Sequence, residues 1–418
     1  MRVLVYPHDL GIGGSQLNAI QLAAAVRDRG HAVVVYGQPG PLVGEVAAAG
    51  LEFIRSPDVH VRPTPGVVRD LARVLAERRI DIAHGYEWPP SLEALLACRV
   101  AHTGRAVSTV LSMSVAPFLP RYLPLGVGTE QIREAEREHG RPDVELLEPP
   151  VDVAANAPGA VPVAAFAREH GIEPRIFTVS IVSRLAREMK LEGILTAMDA
   201  VELLHREAPI QLVIAGGGPA ETEVRAHAAA VNGIAGEQIV VCTGELTDPR
   251  PVYALADVGI GMGGSALRSM AFGVPLIVQG ERGFWRTLSA ATVEDFLWQG
   301  WYGVGPGSGG AAERLAACLR ELRDDRGLRE ALGRLARETV ESRFSVSRVA
   351  ERQIAFYERA IAAPPRTSWR ETLDAGFGLF AYHAHRALAS RTGPAPSEDF
   401  NSRPVAAERG AAAGARER

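Results

Sequence analysis

The sequence predicts an α/β protein built from two doubly wound parallel sheets, and three observations support this prediction. Short β-branched runs alternate with stretches of helical periodicity along most of the chain. The predicted strands are continuously apolar, which is typical of parallel strands covered by helices on both faces. The 418 residues suffice for two or three domains, and 47% hydrophobic with 22% charged residues is the balance of a globular protein.

The first half of the chain starts the alternation of strands and helices. We predict strands at residues 2–6, 31–36, 51–54, 80–84 and 105–111, and helices at 15–29, 66–78 and 91–102. Residues 112–140 contain no motif that we can interpret. The segment at 147–162 is rich in Pro, Ala and Val and is predicted to be a linker between domains.

The second half repeats the same pattern. We predict strands at 176–182, 211–215, 239–243, 258–261 and 276–279, and helices at 190–206, 220–231, 248–255, 265–272, 312–342 and 345–362. The expected domains are an N-terminal domain at 1–155, a C-terminal domain at 156–345 and C-terminal helices at 346–391 that pack back on the N-terminal domain. A disordered tail is expected at 392–418, where few apolar residues could offset the entropy of ordering.

The composition excludes several classes of protein. A net charge of −4 is unsuited to a polybasic chain that binds nucleic acid, and no apolar run reaches the length of a membrane span. The first residues enter a strand directly, without the apolar core of a signal peptide. Cys98, Cys242 and Cys318 give neither a disulfide framework nor a metal-binding spacing. We therefore expect a cytoplasmic protein with no structural metal.

One glycine-rich turn follows the first predicted strand. It contains Gly13, Gly14 and Ser15, whose amides at a helix N-terminus suit an anion. It is not a dinucleotide-binding fingerprint, because Gln16 stands where that pattern requires a third glycine. The alternative is a turn that only packs the helix on the strand.

Two further turns lie at predicted strand ends in the second half. One brings Arg184 and Lys190 together, a pair suited to a diphosphate because Arg offers a bidentate fork and Lys a point charge. The alternative is a pair of surface charges neutralised by Glu188 or Glu192. The other turn contains Gly263, Gly264 and Ser265 before a helix with Arg268, and Ser265 is the expected N-cap.

Four segments of the second half carry a recognisable pattern. They are residues 182–193 with the two cations, 212–219 with a Gly-Gly-Gly-Pro turn, 242–246 at a strand end, and 258–275, which ends in Gly273-Val274-Pro275. Together with the N-terminal glycine turn and residues 82–85, they resemble glycosyltransferase family 4. These are the group 1 nucleotide-sugar glycosyltransferases of the GT-B fold, which has two facing Rossmann-like domains with a cleft between them. The resemblance covers roughly residues 1 to 362.

The resemblance implies a role for each of these segments. The N-terminal domain would receive the acceptor and the C-terminal domain would bind the nucleotide-sugar donor. Arg184 and Lys190 would hold the donor diphosphate. The residues expected to line the nucleotide site are Gly13, Gly14, Ser15, Gly216, Gly217, Gly218, Pro219, Glu245, Leu246, Gly263, Gly264, Ser265 and Arg268.

The chain departs from the family pattern at Arg268. The family has the second Glu of its E-x7-E motif there, which accepts hydrogen bonds from the ribose, and Arg can only donate. The first Glu of that motif has no clear counterpart. Three readings stay open: the ribose is held differently, Arg268 binds a phosphate, or activity is weakened.

Further residues are candidates for the sugar or the acceptor. His84 ends a predicted strand and would contact the donor sugar or acceptor, although a structural histidine is equally expected there. Glu87 and Trp88 would line the acceptor pocket, and Glu281 would meet the sugar hydroxyls.

The function implied is a retaining, metal-independent transfer of a hexose to a hydroxyl of a small molecule, glycan or lipid, with the nucleotide sugar as co-substrate and no other cofactor. The alternatives are a transfer-inactive nucleotide-sugar binder or partner subunit and, with less support, a nucleotide-sugar epimerase.

A last helix near residues 369–388 has one apolar face. The face consists of Trp369, Leu373, Phe377, Phe380, Ala384 and Leu388. We expect this face to dock on the chain's own domain or on a partner subunit, such as a second copy, rather than on a membrane.

Overall fold

The computed structural model describes residues 1–11, 13–364, 368–392 and 400. The tail predicted at 392–418 therefore lies outside the described residues, apart from Thr392 and Phe400. The chain forms two compact units, one of Met1–Pro150 with the described residues from Val346 onward and one of Val151–Ser345. Each unit is a doubly wound α/β sheet, so the predicted fold class is confirmed.

The first unit contains, within its described residues, a seven-stranded parallel sheet in the order β3-β2-β1-β4-β5-β6-β7. Its strands are β1 (Arg2–Tyr6), β2 (Ala32–Gly37), β3 (Glu52–Arg55), β4 (Ile82–Tyr86), β5 (Arg105–Val110), β6 (Leu125–Val127) and β7 (Val144–Leu146). The helices among them are α1 (Gly14–Asp28), α2 (Val43–Ala48), α3 (Pro65–Glu77), α4 (Trp88–Ala101) and α5 (Glu130–Glu138). Buried aliphatic side chains on both faces form its core.

The stretch that the sequence left without interpretation holds β6, α5 and the approach to β7. Three-residue strands are too short for a periodicity to be recognised. The start of α5 does carry a signal, because the Thr129 hydroxyl accepts a hydrogen bond from the Ile132 amide at 3.3 Å as an N-cap.

The second unit, of which every residue is described, has a six-stranded sheet in the order β10-β9-β8-β11-β12-β13, with β13 antiparallel. Its strands are β8 (Phe177–Val182), β9 (Ile210–Ala215), β10 (Val240–Gly244), β11 (Val258–Gly261), β12 (Leu276–Gln279) and β13 (Trp285–Thr287). The helices are α6 (Ala164–His170), α7 (Glu192–His205), α8 (Glu221–Ala235), α9 (Arg250–Ala254), α10 (Gly264–Ala271), α11 (Val293–Gln299), α12 (Ala311–Asp324) and α13 (Arg326–Arg343).

The single helix predicted at 312–342 is two helices, α12 and α13, that meet at Asp325. Asp325 has extended backbone angles, and its carboxylate accepts a hydrogen bond from the Leu328 amide at 2.8 Å. Asp is a preferred N-cap residue, and an N-cap has non-helical backbone angles. The break between α12 and α13 could therefore have been predicted from Asp325 in the sequence.

Helix α14 (Val346–Ala362) returns to the first unit. Val349 and Ala350 pack with residues of α1, while Phe356 and Tyr357 lie fully buried in the core of the first sheet. Helix α15 (Trp369–Thr392) also docks on this unit, and Tyr382 lies against Trp88 with ring centroids 5.5 Å apart.

The face of α15 that docks is not the predicted one. Trp369, Phe377 and Phe380 of the apolar face are 70%, 73% and 74% exposed. The helix docks through its opposite side, where Gly378 lies so close to Phe118 that an added Cβ would be 2.9 Å from the Phe118 Cβ. No helix in the described ranges combines the length and apolarity that a membrane crossing requires.

His84 lies in the middle of β4 and is fully buried, which corrects the expectation that it ends a strand and faces a ligand. Its Nδ1 lies 2.6 Å from the Tyr357 hydroxyl and its Nε2 2.7 Å from the Thr109 hydroxyl. The Gln353 amide donates to Tyr357, so Tyr357 donates to Nδ1 and the Nε2 proton goes to Thr109. Both nitrogens are thus satisfied in the neutral ring, and burial lowers its pKa to about 3.

Because His84 stays neutral when folded, its protonation should destabilise the protein in acid. Below its ordinary pKa of 6.5 the unfolded chain binds a proton that the folded chain does not. For each pH unit below about 6, the stability advantage of wild type over His84→Gln should shrink by about 1.4 kcal/mol. Urea denaturation of both proteins between neutral and acidic pH measures this, and parallel stability curves would contradict it.

Candidate functional site

The strand order of the second sheet fixes the place where a ligand is expected. The chain winds outward from β8 through β9 to β10, then returns to the other side of β8 and continues through β11 to β12. Between β8 and β11 the order reverses, and such switch points leave a crevice at the carboxyl ends of the strands. The loop after β8 and the turn after β11 flank it, which brings Arg184 and Gly263 to the same edge of the sheet.

Backbone hydrogen bonds join the loops after β8, β9 and β10. The Ser183 amide donates to the Ala215 carbonyl at 3.0 Å, and the Leu185 amide to the Gly217 carbonyl at 2.9 Å. The Gly216 amide donates to the Gly244 carbonyl at 2.8 Å. The three loops therefore form one connected rim.

Gly216 and Gly218 are needed for this rim. Their φ angles of +145° and +148° suit glycine, and a Cβ would lie 1.9 Å from the Ser183 carbonyl oxygen at Gly216 and 2.6 Å from that of Leu185 at Gly218. The glycines thus bring the β9 turn against the loop that carries Arg184. Gly217 is half-buried between them, and Pro219 is exposed just before α8.

Arg184 and Lys190 lie on the segment between β8 and α7. Arg184 is exposed two residues after the strand, and Lys190 is half-buried in an irregular turn over Arg187–Leu191, in which Glu188 and Met189 have non-helical backbone angles. Met189, with a φ of +62°, bends this turn, and the side-chain amide of Gln279 donates to the Lys190 carbonyl at 3.2 Å. The backbone of Lys190 is thereby held against the end of β12.

Burial lowers the pKa of Lys190 to about 8, so the ammonium is mostly charged at neutral pH. Within the described ranges no carboxylate lies within ion-pair distance of it. Of the two acids considered from the sequence, Glu188 is exposed, and Glu192 accepts hydrogen bonds from the Arg282 amide at 3.0 Å and the Ser308 hydroxyl at 2.7 Å. Neither acid neutralises Lys190.

The turn after β11 begins α10 one residue earlier than expected. The N-cap is Gly263 rather than Ser265, and its φ of +54° is left-handed. Gly263 and Gly264 are exposed, and an added Cβ on either would have no neighbour within 4 Å. The Ser265 hydroxyl instead bonds the Met262 backbone, donating to its carbonyl at 3.0 Å. As residues of the first helical turn, Gly264 and Ser265 have amides without intrahelical acceptors.

Arg268 is half-buried on α10, and its guanidinium lies near Tyr253 of α9. Burial raises the pKa of Tyr253 to about 12, while the nearby cation lowers it in part. The Tyr253 hydroxyl is buried, and none of the described residues meets it in hydrogen-bond geometry.

Glu281, half-buried after β12, is firmly placed. Its amide donates to the Gly303 carbonyl at 3.0 Å, and its own carbonyl accepts from the Gly305 amide at 2.8 Å. The Tyr302 hydroxyl donates to its carboxylate. At the end of β10, Glu245 is exposed and Leu246 packs in part on a small core that includes Val252.

The first unit has its own switch point between β1 and β4, and Glu87 lies there. Its carboxylate accepts hydrogen bonds from the hydroxyls of Ser15 (3.2 Å) and Ser112 (2.7 Å) and from the Leu111 amide (3.0 Å). Burial raises its pKa, and its φ of +64° is unusual for a Glu. Gly14 is exposed at the start of α1, and Gly13 is the N-cap.

Two other contacts of the first unit were not foreseen from the sequence. Trp88 is half-buried and packs against Phe118 with ring centroids 5.0 Å apart and against Tyr382 of α15 at 5.5 Å. Arg62 forms a 2.8 Å ion pair with the fully buried Glu93, and no pattern in the sequence predicts this pair.

The structure thus places the second-unit candidates, Arg184, Lys190, Gly216–Pro219, Glu245, Leu246, Gly263–Ser265 and Glu281, along the carboxyl edge of one sheet. Arg268 follows one turn inside α10. Gly13, Gly14 and Ser15 lie at the corresponding edge of the first sheet, and His84 lies inside it. No group of three or more His, Cys, Asp or Glu side chains in the described part of the chain is arranged to hold a metal ion.

Solved structures with this fold cover most of the chain. A glycosyltransferase from Rickettsia africae shares 14% identity at a TM-score of 0.66, covering 87% of this chain and 99% of that one. HepE of Anabaena, bound to UDP-glucose, shares 14% identity at a TM-score of 0.65, covering 86% of this chain and 100% of that one. MnaA of S. aureus, bound to UDP, shares 13% identity at a TM-score of 0.57, covering 88% of this chain and 100% of that one. A search of curated proteins by sequence found no match.

Two family models match the sequence itself. Residues 12–139 match the family described as Glycosyltransferase Family 4, and residues 176–296 match Glycosyl transferases group 1. The two matches together span more than half of the chain, one in each unit. The chain belongs to the group 1, family 4 glycosyltransferases and has their GT-B fold.

Proposed function

We propose that this protein transfers a hexose from a nucleoside-diphosphate sugar to an acceptor hydroxyl. The transfer would retain the configuration at the anomeric carbon and need no bound metal ion. The observation that carries the proposal is the pair of cations on the loop after β8. Arg184 is exposed at the switch point, and the half-buried ammonium of Lys190 has no carboxylate partner among the described residues. A buried cation without a counter-ion is costly, and a bound diphosphate would supply one.

The donor would use the rest of the second-unit edge. Free amides of Gly264 and Ser265 suit the distal phosphate, since the start of a helix favours negative charge. The nucleoside would lie over the β9 and β10 turns, beside Gly216 to Pro219, with the backbone of Glu245 and Leu246 facing the base. Glu281, anchored by its own backbone bonds, would accept hydrogen bonds from the sugar hydroxyls. The bound UDP and UDP-glucose of the structural relatives support a nucleotide ligand for this fold.

In the first unit, the amides of Gly13, Gly14 and Ser15 at the start of α1 would suit an anionic group. Glu87, at the switch point of the first sheet, would orient the acceptor hydroxyl. His84 has no place in this proposal, because both of its nitrogens are bonded inside the core.

The proposed chemistry needs little from the protein beyond charge. The bond between the anomeric carbon and the phosphate oxygen breaks, and the acceptor oxygen bonds to that carbon on the same face. The acceptor proton passes to an oxygen of the departing diphosphate. The negative charge that develops on the leaving group is stabilised by Arg184, Lys190 and the helix amides, which are placed before the reaction begins.

A nucleotide-sugar binder without transfer activity is a second candidate, favoured by Arg268. At the position where the family presents a ribose-binding carboxylate, this chain has a guanidinium near Tyr253. Arg268 cannot accept the ribose hydrogen bonds. The proposed transferase therefore requires either another contact for the ribose or a phosphate contact from Arg268.

A direct assay decides between these functions. The purified protein is incubated with UDP-, GDP- and ADP-hexoses with and without a mixture of acceptor hydroxyl compounds, in buffer with EDTA, and the products are identified by NMR. We expect a glycoside with the anomeric configuration of the donor and release of the nucleoside diphosphate. Binding without any product would support the inactive binder, an epimerised donor formed without acceptor would indicate an epimerase, and activity abolished by EDTA would overturn metal independence.

The two cations should account for most of the affinity for a diphosphate. Each charged hydrogen bond contributes about 1.5 to 3 kcal/mol, so Arg184→Ala and Lys190→Ala should each weaken UDP binding by roughly tenfold to a hundredfold. The thermal shift that a ligand produces follows its affinity and measures this change. The melting temperature without ligand should hardly change in Arg184→Ala, because the side chain is exposed.

Arg187→Ala is the matched control, since Arg187 lies on the same segment but pairs with Glu223, and both are exposed. It should bind UDP as the wild type does. Wild-type ligand shifts in both Arg184→Ala and Lys190→Ala would remove the diphosphate assignment.

A further inference from the structure

The outer side of α15 carries an apolar surface that the fold leaves uncovered. We call it the outer stripe, and it consists of Trp369, Leu373, Phe377, Phe380 and Leu388, which are 70%, 52%, 73%, 74% and 61% exposed. Contiguous exposed surfaces of this kind mark interaction sites in folded proteins. None of these residues belongs to the nucleotide site.

The opposite side of α15 fixes which face points outward. Glu371 accepts a hydrogen bond from the Tyr122 amide at 3.2 Å, and the His383 ring bonds the Arg62 carbonyl at 2.8 Å. Tyr382 packs against Phe118, with ring centroids 5.2 Å apart. The helix is therefore docked along its length, and rotating it to bury the outer stripe would break these contacts.

The sequence after α15 offers few large apolar side chains. After Thr392 the sequence contains Phe400 and Val405 as its large apolar residues, among many Ala, Arg, Gly and Pro. Phe400 already stacks on Tyr382, with ring centroids 5.9 Å apart, on the docked side of the helix.

The charges beside the outer stripe do not favour a lipid surface. Its exposed margin carries Arg370 and Asp374, one positive and one negative residue, and Arg370 lies over the Trp369 ring at 5.4 Å. Helices that lie on anionic membranes have a polar face rich in Lys and Arg. The polar face of α15 is instead docked on its own unit through groups such as Glu371.

The spacing and size of the outer stripe suit another helix. The stripe and Ala384 form a row at 369, 373, 377, 380, 384 and 388, in steps of four and three, so they lie along one side of the helix. Gly376 and Ala384, exposed beside the large side chains, would let a second backbone approach closely. Large aromatic side chains each offer roughly 150–250 Å², so the three of the stripe expose about 400 Å². Two such stripes with their leucines would bury about 1,200 Å², the lower end for a stable interface.

We propose that the outer stripe binds the same stripe of a second copy of this chain, forming a two-fold symmetric dimer through α15. A symmetric pair needs a self-complementary surface, and an apolar stripe whose described margin holds one positive and one negative residue, Arg370 and Asp374, meets this requirement. The dimer is independent of the proposed transferase activity, because the stripe carries no residue of the nucleotide site.

Sedimentation velocity at micromolar concentrations tests the proposal. Wild type should sediment as a dimer, and Phe377→Glu/Phe380→Glu as a monomer, with a dissociation constant raised about a hundredfold or more because central aromatic residues dominate such interfaces. His385→Glu is the control, since it places a glutamate on an exposed position of α15 outside the stripe, and it should remain dimeric. The UDP thermal shift should persist in all three proteins, which separates this result from the fate of the proposed function.

Three results would overturn the dimer. The first is a wild-type monomer throughout the micromolar range. The second is a double variant that remains as dimeric as the wild type. The third is a monomer that floats with phosphatidylcholine–phosphatidylglycerol vesicles only when Phe377 and Phe380 are intact, which would assign the stripe to lipid instead.

Discussion

The reversal of strand order between β8 and β11 is the constraint on which the candidate site depends. Strand β8 is the first of the second sheet in chain order. The chain first adds β9 and β10 on one side of β8 and then adds β11 and β12 on the other side. The segments that leave β8 and β11 must therefore diverge, and the space between them cannot be filled by a connecting helix. A loop with two cations borders that space on one side, and an exposed glycine turn borders it on the other.

Several local features keep this edge in shape without filling it. Gly216 and Gly218 allow the β9 turn to touch the backbone of Ser183 and Leu185, and Gln279 holds the carbonyl of Lys190. Glu192, which could have neutralised Lys190, is held by the segment after β12. The result is a half-buried ammonium whose pKa is lowered by burial. That state costs free energy, which a bound anion would offset.

Much of this arrangement could be predicted from the sequence. The strands β11 and β12 begin and end at the residues predicted from their apolar runs. The cations and the glycine turns come directly after predicted strands, so their place at the carboxyl edge of the sheet could be predicted as well. The error at His84 arose because the strand was predicted to end at residue 84, two residues before β4 ends. His84 was therefore expected at the strand end next to the ligand, a position that Glu87 occupies in the structure. Of the two docking partners expected for the apolar face of α15, its own domain is wrong, because the helix packs on that domain through the opposite side. Periodicity shows that a helix has an apolar face, while Gly378, Tyr382 and His383 decide which face lies on the domain. Long-range pairs such as Arg62 with Glu93 leave no local pattern to read.

The central claim is that this edge of the second unit binds both phosphate groups of a nucleoside diphosphate. Titration calorimetry of a nucleoside diphosphate and of the matching nucleoside monophosphate against the wild-type protein tests it most directly. The account predicts that the diphosphate binds at least about tenfold more tightly, because each added charged hydrogen bond contributes on the order of 1.5 kcal/mol or more. Equal affinities for the two nucleotides would contradict it.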